Sequence, residues 1–307
     1  MKISVVFPNV MYREGQAGVA KLIRGIEDIG FDELDMFDHV VMGYPTETRR
    51  KPFYSPQMPI VEAFTLLSFA AAITSRIKLG TGVLVLPQRH PTLVAKQVSS
   101  IDTLSDGRMR LGVGIGWQAS EYEALGENFR DRGKRMDEAI AILRSYWRDE
   151  HVSFDGTYYQ IDEMAMEPKP PQGERIPIWI GGTKRAALRR VAELGDGWMA
   201  MNAPGDDPLT DRMAMLRELI DEAGRRPEDI GLQMSLSPDA LDREKRKRFY
   251  AEPELLLERT VQLKELGFDT TSIDCVPIFQ QGYRSVDTML EYLATVYETL
   301  TPALRED

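Results

Sequence analysis

Short apolar or β-branched runs alternate along the chain with longer stretches in which apolar residues return every three or four positions. Eight runs are of the first kind: KISVVF (2–7), ELDMFD (33–38), IKLGTGVLVL (77–86), MRLGVGIG (109–116), PIWIGG (177–182), DGWMAM (196–201), IGLQMSLS (230–237) and TTSIDC (270–275). Each is followed by an amphipathic stretch, from VAKLIRGIEDIG (19–30) to SVDTMLEYLATVYETL (285–300). This alternation predicts strands paired in parallel through helical crossovers. The junctions repeat as well: DIGFDELDMFD, ELGDGWMAM and ELGFDTTSID each end a helix on a glycine, free to take the left-handed cap conformation. Eight such units in 307 residues predict an α/β chain forming one (β/α)8 TIM barrel over 1–307, in preference to an open doubly wound sheet. Three segments interrupt the regularity: a long loop at 39–59 after strand two, an insertion at 151–173 before strand five, and a basic loop at 238–252 after strand seven. Segments of that length in a compact fold are commonly functional.

Composition narrows the class. A formal net charge of −10 argues against non-specific nucleic-acid binding as the main activity. The one cysteine, Cys275, excludes an internal disulfide and suits a reducing compartment. The N-terminal run is too short for a secretory signal, and the longest apolar block, LLSFAAAI, is too short to span a bilayer. The expectation is a soluble, cytoplasmic protein that binds a small molecule, with neither nucleic acid nor membrane as partner. His39, His90 and His151 do not cluster with the cysteine at ligand spacing, so no metal site is expected.

The stretch RMRLGVGIGWQASEYEALG (108–126) carries the most suggestive pattern. Gly112, Gly114 and Gly116 fail the dinucleotide fingerprint, because the third glycine comes one residue early and Trp117 stands where it should be. In a strand all three present the same face, bare of side chains. Such a strip either relieves crowding inside the barrel or lets a planar ligand approach. Barrel active sites lie at the carboxyl ends of the strands. There the sequence places Asn9, Asp38-His39, Gly82-Val83, Gly116-Trp117-Gln118, Gly181-Gly182-Thr183, Met201-Asn202, Ser235, Ser237 and Asp274-Cys275. IWIGGTKRAAL runs from strand through a glycine pair into a helix start, so its amides and the Thr183 hydroxyl could cradle a phosphate. His39, preceded by an acid at the end of strand two, is placed for general acid or base work. Phe37, Met42, Trp117, Trp179, Trp198 and Met199 would form an apolar rim or, equally well, core.

The motifs DHVV, RIKLGTGVLVLPQRHP, KQVSSIDTLSDGRMRLGVGIGWQASEYEALGENFRDRGKRMDEAIAILRSYW and PIWIGGTKRAALRRVAELGDGWM resemble the bacterial luciferase-like flavin-dependent oxidoreductases, and within them the coenzyme F420 (deazaflavin) branch. The resemblance covers residues 1 to about 200 and is weaker beyond. It implies a luciferase-like (β/α)8 barrel, a homodimer, and an oxidoreductase moving a hydride between coenzyme F420 and a small organic substrate. It assigns Asp38 and His39 to an acid–histidine pair beside the ring, with His39 handling the proton and Asp38 orienting it. It assigns Gly82-Val83 to a non-proline cis peptide under the ring, and Gly116, Trp117 and Gln118 to the segment flanking the ring and ribityl chain. Gly181, Gly182 and Thr183 become the phosphate loop, so the glycine strip of 112–116 would make room for a flavin-type ring. Lys184-Arg185 or the basic loop would hold the polyglutamate tail of F420. The alternatives are an FMN-dependent two-component monooxygenase with a flavin reductase partner, and a non-catalytic flavin-binding barrel.

Overall fold

The computed structural model describes residues 1–49, 55–203, 205–237 and 248–305. Eight parallel strands close on themselves: β1 (Lys2–Val6), β2 (Glu33–Met36), β3 (Lys78–Thr81), β5 (Met109–Gly114), β8 (Ile178–Gly181), β9 (Gly197–Ala200), β10 (Gly231–Ser235) and β11 (Thr270–Asp274). β1 pairs with both β2 and β11, and β3 pairs with β5, which closes the barrel predicted from the eight runs. A two-residue strand, β4 (Leu84–Val85), extends the third strand along β5. The helices are α1 (Gly15–Ile29), α2 (Ala63–Ile73), α3 (Pro91–Leu104), α4 (Ala119–Ala124), α5 (Arg132–Arg148), α6 (Arg185–Leu194), α7 (Leu209–Glu222), α8 (Pro253–Glu265), α9 (Cys275–Gln280) and α10 (Val286–Arg305). Within 151–173, β6 (Val152–Asp155) and β7 (Gln160–Met164) form an antiparallel hairpin. Residues 50–54 of the loop 39–59 and 238–247 of the basic loop lie outside the described residues.

The period-2 strand pattern sorts two chemistries. Ile3, Val5, Leu34, Leu79, Leu111, Val113, Ile178 and Ile180 are buried in one continuous apolar layer with the helices. The alternate positions carry Ser4, Glu33, Asp35, Gly80, Arg110 and Gln233, all placed inside the barrel. Arg110 binds Asp35 Oδ1 at 2.6 Å, Glu33 Oε2 at 3.0 Å and Gln233 Oε1 at 2.7 Å, and stacks on the Trp179 ring at 4.8 Å. The barrel is thus plugged by a charged, hydrogen-bonded layer. Trp179 completes that layer: a Cβ on Gly197 or Gly231 would collide with its indole. Trp179 and Trp198 therefore belong to packing, not to a rim; Trp198 is fully buried and donates to the Gly182 carbonyl at 2.8 Å.

The junction glycines are of two kinds. Gly30 and Gly267 take positive φ (+119° and +93°) as expected of helix ends. Gly195 does not; it is extended (φ −92°), and a Cβ there would press on Ile180 and Val191 at 3.1–3.2 Å. That glycine is needed for close helix–strand approach rather than for a left-handed turn.

Candidate functional site

Because every barrel strand runs the same way, the segments leaving their carboxyl ends gather at one end of the molecule. The strip of Gly112, Gly114 and Gly116 points to its centre, but the strip is not open space. A Cβ on Gly112 would collide with the Thr81 carbonyl, one on Gly114 would lie 2.8 Å from Val83 Cγ2, and one on Gly116 would lie 2.6 Å from Val85 Cγ1. The glycines make room for the neighbouring third strand, which corrects the expectation that they leave a slot for a planar ring. That strand is irregular here: the Gly82-Val83 peptide is cis. It carries Val83 between β5 and β8, where a Cβ on Gly181 would lie 3.1 Å from its Cγ1. Gly82-Val83, Gly114 and Gly181 are therefore brought together, as a surface shaped by backbone.

His39 follows β2 and is 9% exposed. Its Nδ1 lies 3.1 Å from Oε2 of Glu121, on the first turn of α4. Oε1 of the same carboxylate accepts the amides of Val40 (2.5 Å) and Val41 (3.3 Å). Burial alone would raise the Glu121 carboxyl, but the bond and charge of His39, then the Val40 amide and Gln88, outweigh it and hold the carboxyl below its usual range. Trp117 stands edge-on to His39, with ring centroids 5.5 Å apart. Gln118 donates to the Val41 carbonyl at 2.7 Å, a second tie between this segment and the loop after β2. Asp38 has other business. One oxygen accepts the Val85 amide (3.0 Å) and the other the Arg89 guanidinium (2.8 Å), which also meets Glu62 at 3.2 Å. The acid set to orient His39 is thus Glu121 rather than Asp38, whose carboxylate anchors the bulged third strand.

On the far side of Val83, Gly181 and Gly182 lead into α6. Gly182 has φ +135°, and a Cβ there would meet Ala187 at 2.7 Å, so the turn requires glycine. The Thr183 hydroxyl donates to Asp206 Oδ1 at 2.8 Å, and the Lys184 ammonium lies 3.0 Å from the same oxygen. The Ala203 amide donates to Asp206 Oδ2 at 3.0 Å. Burial would raise Asp206, yet these hydrogen bonds and the Lys184 charge leave it below its usual range. The Thr183 hydroxyl, foreseen for an anion, therefore faces a carboxylate of the chain itself.

Glu121 and Asp206 were not singled out from sequence. Glu121 does carry a signal, an acid on the first turn after a strand end, which in an ordinary helix caps its own amides. Asp206, 23 residues beyond Thr183, carries none.

The fold and site define a barrel whose mouth joins a buried histidine–carboxylate pair to a backbone bulge and a glycine turn, an arrangement suited to a bound cofactor that carries the chemistry. The chain belongs to the luciferase-like monooxygenase family, whose pattern matches residues 1–270. An uncharacterized protein of Mycobacterium tuberculosis is 38% identical over 213 residues, 66% of this chain and 72% of its own. The F420-dependent glucose-6-phosphate dehydrogenase of Nakamurella multipartita is 28% identical over 280 residues, 88% of this chain and 78% of its own. Among solved structures, the coenzyme F420-dependent tetrahydromethanopterin reductase of Methanopyrus kandleri superposes with a TM-score of 0.74 at 18% identity, covering 99% of each chain.

Proposed function

We propose that the protein is a coenzyme F420-dependent oxidoreductase acting on a small organic substrate. One observation carries this: the buried His39–Glu121 pair stands with Trp117 at the barrel mouth, on the loops that flank the Gly82-Val83 bulge. The residues fit a flavin-type group on backbone grounds, since Gly182 cannot carry a side chain in that turn and Val83 is held up between Gly114 and Gly181. Residues 82–83 would support the ring, Trp117 and Gln118 would flank it, and Gly181–Thr183 would hold the phosphate. The coenzyme, when bound, supplies hydride transfer. His39 handles the accompanying proton: the nitrogen facing a carboxylate is the protonated one, leaving Nε2 as the basic nitrogen of the neutral ring. Glu121 fixes that tautomer and ties the loop after β2 to α4. The F420-dependent relatives at 27–28% identity support this reading over the FMN-dependent monooxygenase that the family's description equally allows.

Fluorescence titration with oxidised coenzyme F420 and, separately, FMN tests it. Tighter F420 binding is expected; tighter FMN binding moves the protein to a reductase-coupled monooxygenase, and binding without any turnover makes it a non-catalytic flavin barrel. Asp206 adds a second test. A phosphate on Thr183 and Lys184 competes with its carboxylate, which stays ionised through neutral pH. Asp206→Asn is expected to raise affinity for FMN or F420 by up to about tenfold, while riboflavin and the dephosphorylated deazaflavin are unaffected. Unchanged or weakened phosphate-dependent binding places the phosphate elsewhere.

A further inference from the structure

We infer that the substrate of this site is a neutral, mostly hydrocarbon molecule and not a sugar phosphate; the inference builds on the assignment of the barrel mouth as the active site. Ten large hydrophobic side chains are exposed among the described residues, and six of them, Tyr12, Val40, Val41, Tyr44, Trp117 and Met201, lie on segments leaving the carboxyl ends of β1, β2, β5 and β9. Their exposures run from 41% to 60%. The other four lie apart from that end and from one another in the chain, Leu93 and Leu104 at the two ends of α3, Met164 at the end of β7 and Val261 on α8. Singly exposed apolar residues are ordinary, whereas a majority gathered at one end marks a binding surface. Three of the six, Val40, Val41 and Trp117, touch the His39–Glu121 pair directly. The amides of Val40 and Val41 bond Glu121, and Trp117 packs edge-on to His39.

Charge points the same way. Among the described residues, two cations on the segments around the pair already face carboxylates: Arg89 on Asp38 and Glu62, and Arg49 on Glu123 at 2.9 Å. Glu121 itself stays ionised. A dianionic substrate brought beside His39 would give up hydration next to a fixed negative charge, in a protein of net charge −10. A neutral hydrocarbon surface gains by covering Val40, Val41, Tyr44 and Met201.

The test uses the full-length protein and three probes: the neutral dye Nile red, 2-decanone as its competitor, and glucose 6-phosphate. Nile red fluorescence should rise on binding, 2-decanone should displace it, and glucose 6-phosphate should not displace it at tenfold higher concentration. Tyr44→Ser and Met201→Ser should each weaken 2-decanone several-fold. Circular dichroism checks that both variants fold; an unfolded one is replaced by Val41→Thr. Displacement by glucose 6-phosphate, or 2-decanone affinity untouched in the folded variants, overturns the inference. Titration of the same samples with F420 and FMN reads the cofactor assignment separately. If neither coenzyme binds while the Tyr44-dependent ketone affinity persists, the cofactor reading falls and the apolar mouth stands.

Discussion

His39→Ala lowers turnover by about 10²- to 10⁴-fold, the span expected when a positioned proton-transfer group is lost. Among the described residues His39 is the histidine with a buried carboxylate on its Nδ1, since His90 packs against Tyr159 and His151 meets Glu163 on the exposed hairpin. Cofactor affinity should change far less than turnover, because the groups proposed to hold the cofactor, residues 82–83, Trp117, Gln118 and 181–183, do not include His39. Glu121→Gln separates positioning from proton transfer. It keeps one acceptor oxygen for two donors, His39 Nδ1 and the Val40 amide, and removes the carboxylate charge beside the ring, so the pH–rate profile moves while turnover falls less than in His39→Ala. Asp38→Asn should leave that profile in place and instead weaken cofactor binding, because its partners are Arg89 and the Val85 amide. Steady-state kinetics of the three variants across pH decide the matter. A profile that moves with Asp38→Asn and not with Glu121→Gln restores the acid–histidine pairing that adjacency in sequence suggests.

That pairing shows where the sequence was legible and where it was not. The barrel could be read because each of eight units repeats one local rule, apolar strand then amphipathic helix, and local rules survive in one dimension. The glycine turn into α6 could be read for the same reason, and Gly182 does take φ +135°, whereas the cis Gly82-Val83 peptide was implied by the family resemblance alone. What failed was inference about partners. Asp38 precedes His39 in the chain, but successive residues at a strand end point apart, and the carboxylate that reaches the imidazole comes from 82 residues away. Gly112, Gly114 and Gly116 suggest space for a ligand because the sequence does not reveal that the third strand bulges into them. Trp179 and Trp198 read as rim or core with equal ease, and only the crowding of Gly197 and Gly231 against Trp179 decides it. The clearest missed signal lay in plain view. Glu33 and Asp35 alternate in ELDMFD and Arg110 interrupts MRLGVG, so three charges occupy inward positions of runs that are otherwise apolar.

Removing that charge is the most damaging single change expected away from the mouth. Arg110 is 3% exposed and serves two carboxylates, Asp35 and Glu33, with Gln233 and the face of Trp179 completing its surroundings. Its guanidinium is held above its usual range: burial opposes the charge, but the attraction of Asp35 and then Glu33 prevails. Arg110→Met preserves much of the volume, leaves the buried Asp35 carboxylate without its counter-ion and leaves Glu33 with only the half-exposed Lys2, 3.8 Å away. Breaking a buried pair in this way costs about 3–5 kcal/mol. At roughly 2.1 cal/mol/K of unfolding entropy per residue, that lowers the melting temperature of a chain of this length by about 5–8 °C. The pH dependence has a definite sign. In the variant the stranded carboxyls bind protons more tightly folded than unfolded, so stability falls as pH rises above the ordinary carboxylate range, and the deficit against the parent shrinks as pH is lowered. Asp35→Asn added to Arg110→Met removes one of the two stranded charges and should recover part of the loss, with Ser4 and Gln233 still available to the new amide. Thermal melts of the parent, the single and the double variant between pH 5 and 8 measure all of this. A single variant that melts with the parent at pH 8 would mean that the charged layer is a passive filling of the barrel rather than a part of what holds it shut.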